Sequence, residues 1–216
     1  MLVIIPAKKN SRRLKSKNKK FLGTMPLISW SINCAKKLTQ NKNIIVSTNC
    51  KSIAKIAEKE KCKVPFFRPD NLTKDNTTMF EVVNHVVNEY EKKMKIKVKY
   101  ILLLQPTTPF RKVKIIKKAI KKFKKNFRTL ISVSKLHVKS DKLFKNGKNS
   151  LLKFSNQKKP VDILVPNGSF YLITKKNLLK YKNFYHDKMQ YVLIDSHKEN
   201  IDIDYKKDFE LAKKFI

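Results

Sequence analysis

Alternation between two periodicities constrains this chain more than any other feature of it. Short aliphatic, β-branched runs at 2–6, 44–47, 64–67, 100–104 and 130–133 read as strands. The stretches between them, 27–38, 52–61, 78–92 and 113–123, carry apolar residues at helical spacing. Strands that alternate with helices return in parallel, so the pattern predicts an α/β fold with a mostly parallel sheet covered on both faces. The 78–92 segment is the clearest helix: Met79, Phe80, Val82, Val83, Val86, Val87 and Tyr90 form one stripe for the core, and Thr77 or Thr78 can cap its start. A length of 216 residues suits one domain spanning 1–216. From 135 to 165 the pattern turns polar and irregular, with Asn146-Gly147 as a turn and Pro160 as a breaker, and this reads as an excursion from the sheet. Strands at 169–174 and 191–195 and a closing helix at 206–215 restore the regular pattern.

The formal charge of +35 requires an interpretation. Of 51 basic residues only Arg12, Arg13, Arg68, Arg111 and Arg128 are arginine. A dedicated nucleic-acid reader concentrates its charge on one face and favours arginine, whose planar fork suits phosphates and base edges. Here the lysines fall on the polar side of helical patterns, as at 112–123, so the excess reads as solvated helix faces and nucleic acid is not the expected partner. No stretch is apolar enough to span a bilayer and no signal pattern precedes the first strand, which leads to the expectation of a cytoplasmic protein without a membrane partner. Cys34, Cys50 and Cys62 are odd in number and far apart, and His85, His137, His186 and His197 are scattered. Neither set offers the spacing of a disulfide framework or a zinc site.

Three segments carry the chemistry. The first strand, 2–6, runs straight into a loop with Lys8, Lys9, Arg12, Arg13, Lys15 and Lys17, interleaved with Asn10, Ser11 and Asn18. Ligands of open α/β sheets bind beyond the carboxyl ends of the strands, so a cationic loop at that point reads as a cradle for a nucleotide triphosphate. It lacks the glycine fingerprints of known phosphate loops, which leaves the grip to side chains and loop amides. The second segment is Gln105-Pro-Thr-Thr-Pro-Phe-Arg111, a polar turn pinned by two prolines at the end of an apolar strand. Arg111 near a helix start is disfavoured by the helix dipole and therefore needs another partner. Third, Asp202 and Asp204 alternate with isoleucines in Ile201-Asp-Ile-Asp204. Residues two apart in a strand point the same way, so both carboxylates can converge on a hard cation such as magnesium. Asn167-Gly168 before a strand and Arg68-Pro69 after one are smaller signals of the same kind.

Taken in order, these segments resemble the N-acylneuraminate cytidylyltransferase family, the CMP-sialic acid synthetases. The matching pieces are Ile5-Pro-Ala7 with Asn10-Ser11 and Lys17-Asn18, Ile45-Val-Ser-Thr48, Arg68-Pro69 with Leu72 and Asp75, Leu103-Leu-Gln-Pro-Thr-Thr-Pro-Phe-Arg111, Pro166-Asn-Gly168 with Tyr171, and Ser196-His197 with Ile201-Asp-Ile-Asp204. The resemblance covers nearly the whole chain and implies a Rossmann-like nucleotidyltransferase that joins CTP to an acidic nine-carbon sugar, releases pyrophosphate and needs Mg2+. Carried over by position, Ala7, Lys8, Ser11, Asn18, Arg68 and Gln105 would hold CTP, and Lys17 would neutralise phosphate charge. Asp202 and Asp204 would bind the metal, while Gln105, Asn167 and Tyr171 would face the sugar. The 135–165 excursion would pair two copies into a homodimer. Relatives usually carry arginine where Lys8 stands and frequently at Val165, whose grip on the sugar carboxylate Lys158 or Lys159 would take over. Two alternatives remain at this level: a cytidylyltransferase for legionaminic, pseudaminic or 3-deoxy-manno-octulosonic acid, and a polyanion-binding protein on a decayed enzyme fold.

Overall fold

The structure is a computed structural model and describes residues 1–136, 138, 142–146, 150–153 and 161–216. In chain order its elements are β1 (Leu2–Pro6), β2 (Phe21–Leu22), β3 (Met25–Pro26), α1 (Leu27–Lys36), β4 (Ile44–Ser47), α2 (Lys51–Lys59), α3 (Met79–Met94), β5 (Tyr100–Leu103) and α4 (Val113–Asn126). They continue with β6 (Leu130–Leu136), β7 (Phe144–Asn146), β8 (Leu151–Lys153), β9 (Ile163–Thr174), α5 (Lys175–Tyr181), β10 (Gln190–Leu193) and α6 (Lys206–Lys213). A six-stranded sheet in the order β10-β6-β9-β5-β1-β4 forms the centre, and β9 alone runs against its neighbours.

The alternation of side chains along the strands divides the core. Val3, Ile5, Val46, Leu102 and Leu172 face Ile28 and Ile32 of α1, Ile53 of α2, and Ile116 and Phe123 of α4. Leu2, Ile4, Ile45, Ile101 and Leu103 face the other way, onto Val83, Val86, Val87 and Tyr90 of α3. Two covered faces explain why these strands read as continuous aliphatic runs. Thr78 starts α3 with a capping box: its hydroxyl accepts from the Glu81 amide while the Glu81 carboxylate accepts from the Thr78 amide. A third, smaller cluster joins distant parts of the chain, with Leu14 of the basic loop packing among Phe110, Ile201, Ile203 and Phe209.

Three expectations need correction. Asn167 and Gly168 lie within β9, not ahead of a strand that starts at 169. Residues 64–67 are not a strand; only Lys63 bridges to Ile45, because Pro65 has no amide hydrogen to continue the ladder. Residues 201–204 lie outside any strand, held by backbone bonds from the Ile203 amide to the Thr107 carbonyl (2.8 Å) and from the Ile201 amide to the Lys198 carbonyl (3.4 Å). Burial nevertheless alternates there, with Ile201 and Ile203 inside and Asp202 turned outward, since the third cluster enforces a period of two. The excursion contains a hairpin of β7 and β8. Gly147, Pro160, Lys158 and Lys159 lie outside the described residues. Among the described residues, no helix is long and apolar enough to cross a membrane.

Candidate active site

The basic loop leaves β1 where the Ala7 amide makes a last bond to the Ser47 carbonyl of β4 (2.8 Å). Asn18 then folds the loop on itself by donating its side-chain amide to the Lys8 carbonyl (3.2 Å), and the Lys9 amide donates to Asn49 Oδ1 (2.9 Å). With its backbone fixed and Leu14 anchored in the third cluster, the loop projects Lys8, Arg12, Arg13 and Lys17 into one space, while Lys9 and Lys15 stay outside it. Lys8 Nζ meets Asp75 Oδ1 at 3.1 Å and the Thr73 carbonyl at 3.2 Å, and Arg12 Nε reaches Asp75 Oδ2 at 3.3 Å. Arg13 reaches Asp204 Oδ2 at 2.7 Å and lies over the Tyr205 ring, 5.3 Å from its centroid. Lys17 is buried, 7% exposed, and donates to the Ile203 carbonyl (2.6 Å) and to Asp204 Oδ1 (3.0 Å).

Lys8, Ser11, Arg12, Arg13, Lys17, Asp75, Asp204 and Tyr205 line a cavity of about 520 Å³. Four cations against two carboxylates leave it electropositive, which suits a ligand with several negative oxygens. Asp208, in the first turn of α6, fixes the backbone of the acidic segment by accepting from the Asp204 (3.0 Å) and Tyr205 (2.7 Å) amides. Asp202 is exposed by its accessible surface, yet the atoms packed around it remove part of its hydration, the first cause that holds its carboxyl above the usual range; Asp204 and Asp208 push the same way, while a hydrogen bond from Thr107 and the charge of Lys17 oppose them. Among the described residues no cluster of three or more His, Cys, Asp or Glu side chains could hold a metal on its own. Asp204 lines the cavity and Asp202, two residues before it and exposed, does not; a hard divalent cation held by the two would take its other oxygens from a bound phosphate.

The sugar-facing candidates gather in a second place. Gln105 and Tyr171 line a cavity of about 180 Å³ with Met79, Phe80, Phe184 and Tyr185. The Tyr171 hydroxyl lies 3.2 Å from that of Tyr185, and burial raises its pKa above the ordinary tyrosine value, with Tyr185 and Asp202 adding to the effect. Asn167 is buried with its side chain committed: Nδ2 donates to Asn200 Oδ1 (2.8 Å) and Oδ1 accepts from the Ser169 amide (3.1 Å). The β6–β9 register slips between Ile131 and Val133, where Tyr171 and Pro166 are the respective partners; Asn167, Gly168, Ser169 and Phe170 bulge between them. Gly168 sits at φ +75°, and a Cβ there would lie 3.0 Å from Thr108 Oγ1 and 3.2 Å from Gln105 Oε1.

Arg68 lines neither cavity. It is buried at the end of β4, donating to Ser47 Oγ (3.0 Å) and the Ser47 carbonyl (2.7 Å), and burial lowers its pKa to about 10. Arg111 has the partners that its position demanded: the Ser169 carbonyl (2.6 Å), the Ser31 hydroxyl (2.9 Å) and the Gln105 carbonyl. It clamps β9 and α1 to the turn that holds Gln105, and burial lowers its pKa to about 10 as well. Sequence reasoning gave no individual role to Arg13, Tyr205 or Thr107. The scarcity of arginine in this chain was the available signal for Arg13 and the proline-pinned turn was the signal for Thr107; nothing in the sequence marked Tyr205.

Residues 2–216 match the family model described as Cytidylyltransferase. The chain is 32% identical over 225 residues to CMP-N,N'-diacetyllegionaminic acid synthase of Legionella pneumophila subsp. pneumophila, covering 100% of this chain and 96% of that protein. It is 27% identical over 220 residues to N-acylneuraminate cytidylyltransferase of Escherichia coli, covering 98% of this chain but 51% of that protein, so it spans about half the length of this relative. The solved structure of CMP:2-keto-3-deoxy-manno-octonic acid synthetase complexed with CTP matches with a TM-score of 0.70 at 11% identity, covering 99% of this chain and 97% of that one. At that identity the likeness is one of fold.

Proposed function

The chain belongs to the cytidylyltransferase family, and on that premise we propose that it joins CTP to an acidic nine-carbon sugar of the sialic or legionaminic type, giving a CMP-sugar and pyrophosphate. The observation that carries this reading is the meeting of Lys17 with Asp204 at 3.0 Å, 187 residues apart in sequence, on the wall of the electropositive cavity. Transfer of this kind asks for positioning and charge neutralisation rather than a protein nucleophile.

In this reading the triphosphate lies along Lys8, Ser11, Arg12 and Arg13, in a loop shaped by Ala7 and Asn18. Lys17, which the Ile203 carbonyl and the surrounding core keep from moving, neutralises charge that develops on the phosphates. Arg68 adds a buried positive charge beyond β4. Gln105 and Tyr171 receive the sugar in the smaller cavity, and Asn167 holds the bulge beside it. Asp202 and Asp204 would hold Mg2+, which when bound neutralises phosphate oxygens and polarises the phosphorus under attack.

We also propose a homodimer. Tyr191 and Leu193 of β10, the edge strand, are exposed, as is Leu164 of β9, and an apolar cavity of about 420 Å³ opens among Ile131, Val133, Leu164 and Tyr191.

The test is pyrophosphate release from CTP and Mg2+ with N,N'-diacetyllegionaminic, N-acetylneuraminic, pseudaminic and 3-deoxy-manno-octulosonic acids. Release is expected with CTP and the nonulosonic acids. Silence with every acid, or equal release from ATP, GTP and UTP, would contradict the proposal.

A further inference from the structure

The two oxygens of Asp204 are both taken, and by cations of different standing. Lys17 holds Oδ1 at 3.0 Å from a buried site, with a second anchor on the Ile203 carbonyl. Arg13 holds Oδ2 at 2.7 Å from a loop, its side chain 54% exposed and otherwise resting on the Tyr205 ring. A divalent ion at Asp202 and Asp204 needs a free lone pair of Asp204, and a guanidinium on Oδ2 both occupies that oxygen and repels the ion. Lys17 cannot leave without exposing a hole in the core. Arg13 can leave, because an exposed pair is held weakly, and because a planar guanidinium binds phosphate as readily as carboxylate.

We propose that Arg13 is a positioning residue that occupies the metal-binding face of Asp204 until nucleotide arrives, and that it then exchanges the carboxylate for a phosphate oxygen. The inference rests on the reading of Asp202 and Asp204 given above. Nucleotide and divalent cation then assist one another through the protein as well as through direct contact. Neighbouring Arg12 provides the control: it carries the same charge on the same loop but pairs with Asp75, so its removal lowers the local charge without freeing Asp204.

The experiment titrates the whole protein with Mn2+, following free Mn2+ by electron paramagnetic resonance, with and without CTP and with no sugar present. Arg13→Ala is expected to bind Mn2+ without nucleotide about three- to tenfold more tightly than the parent, the range that loss of one opposing exposed charge allows. By reciprocity the strengthening of Mn2+ binding by CTP shrinks in the same variant. In the titration without nucleotide, where its place along the triphosphate does not enter, Arg12→Ala is expected to bind Mn2+ within about twofold of the parent. Unchanged or weaker Mn2+ binding in Arg13→Ala, or equal tightening in Arg12→Ala, overturns the exchange. Asp204→Asn separates the two claims: loss of Mn2+ binding there with no effect of Arg13→Ala removes the exchange alone, whereas parent-like Mn2+ binding in Asp204→Asn removes the metal site as well.

Discussion

Asp202 and Asp204 stand two residues apart and are stabilised unequally. Asp204 is matched by Lys17 and Arg13, while Asp202 has a hydrogen bond from Thr107 against lost hydration and two neighbouring carboxylates. A carboxyl held above its unfolded value of 3.8 lowers stability when ionised. That penalty is fully present above the raised folded value and vanishes as pH falls below 3.8. Asp202→Asn should therefore melt at pH 7 no lower than the parent, and should lose part of the stability gained on mild acidification, while pyrophosphate release falls by about 100-fold. Thermal melts across pH paired with turnover would check this; a lower melting temperature with retained turnover would contradict it. At this scale the sequence showed which residues could do chemistry. It did not show how each was compensated, because partners such as Thr107 and Tyr205 are ordinary residues whose importance comes from where the fold brings them.

Among the elements, agreement between sequence and structure follows burial. Strands β1, β4 and β5 were legible because both faces are covered, and α3 because its apolar stripe and its Thr78 cap point to the same boundary. The 64–67 run has the composition of a strand, but Pro65 prevents the ladder. The opposite orientation of β9 was not legible, since nothing in a strand's own residues records which way it runs. The short helix α5, capped where Thr174 accepts from the Asn177 amide (3.0 Å), was missed because seven residues give too little periodicity. Ile201 to Asp204 is the instructive case: the strand expectation failed, yet the two-residue alternation held, because Ile201 and Ile203 are packed against Leu14 and Phe209. Arg111 ties three elements together through acceptors on Ser169, Ser31 and Gln105. Arg111→Ala strands all three and should destabilise the protein by about 2–4 kcal/mol in urea unfolding. Arg111→Lys should recover little, because a point ammonium does not reproduce the fork. A loss under about 0.5 kcal/mol for the alanine variant would show that water replaces the clamp.

Across the whole molecule, the third hydrophobic cluster is what makes a site. It holds the amino-terminal basic loop and the late acidic segment together at the carboxyl ends of the central strands, where open α/β sheets bind ligands. No periodicity measures the distance between residues 17 and 204, so within the sequence only the family resemblance joined them. The large positive charge does not compete with this account: exposed lysines cover the outer face of α4, whereas the arginines at positions 68 and 111 are committed to interior acceptors.

The measurement that tests the account most directly is pyrophosphate release from CTP and a nonulosonic acid by Asp204→Asn, with thermal melts alongside. The side chain keeps its shape and its acceptor for Lys17 but loses its charge. A fall of about 100-fold or more in turnover, in a variant that melts lower than the parent but is still folded at the assay temperature, is the predicted result. Parent-like Mg2+-dependent turnover would show that the chemistry takes place elsewhere.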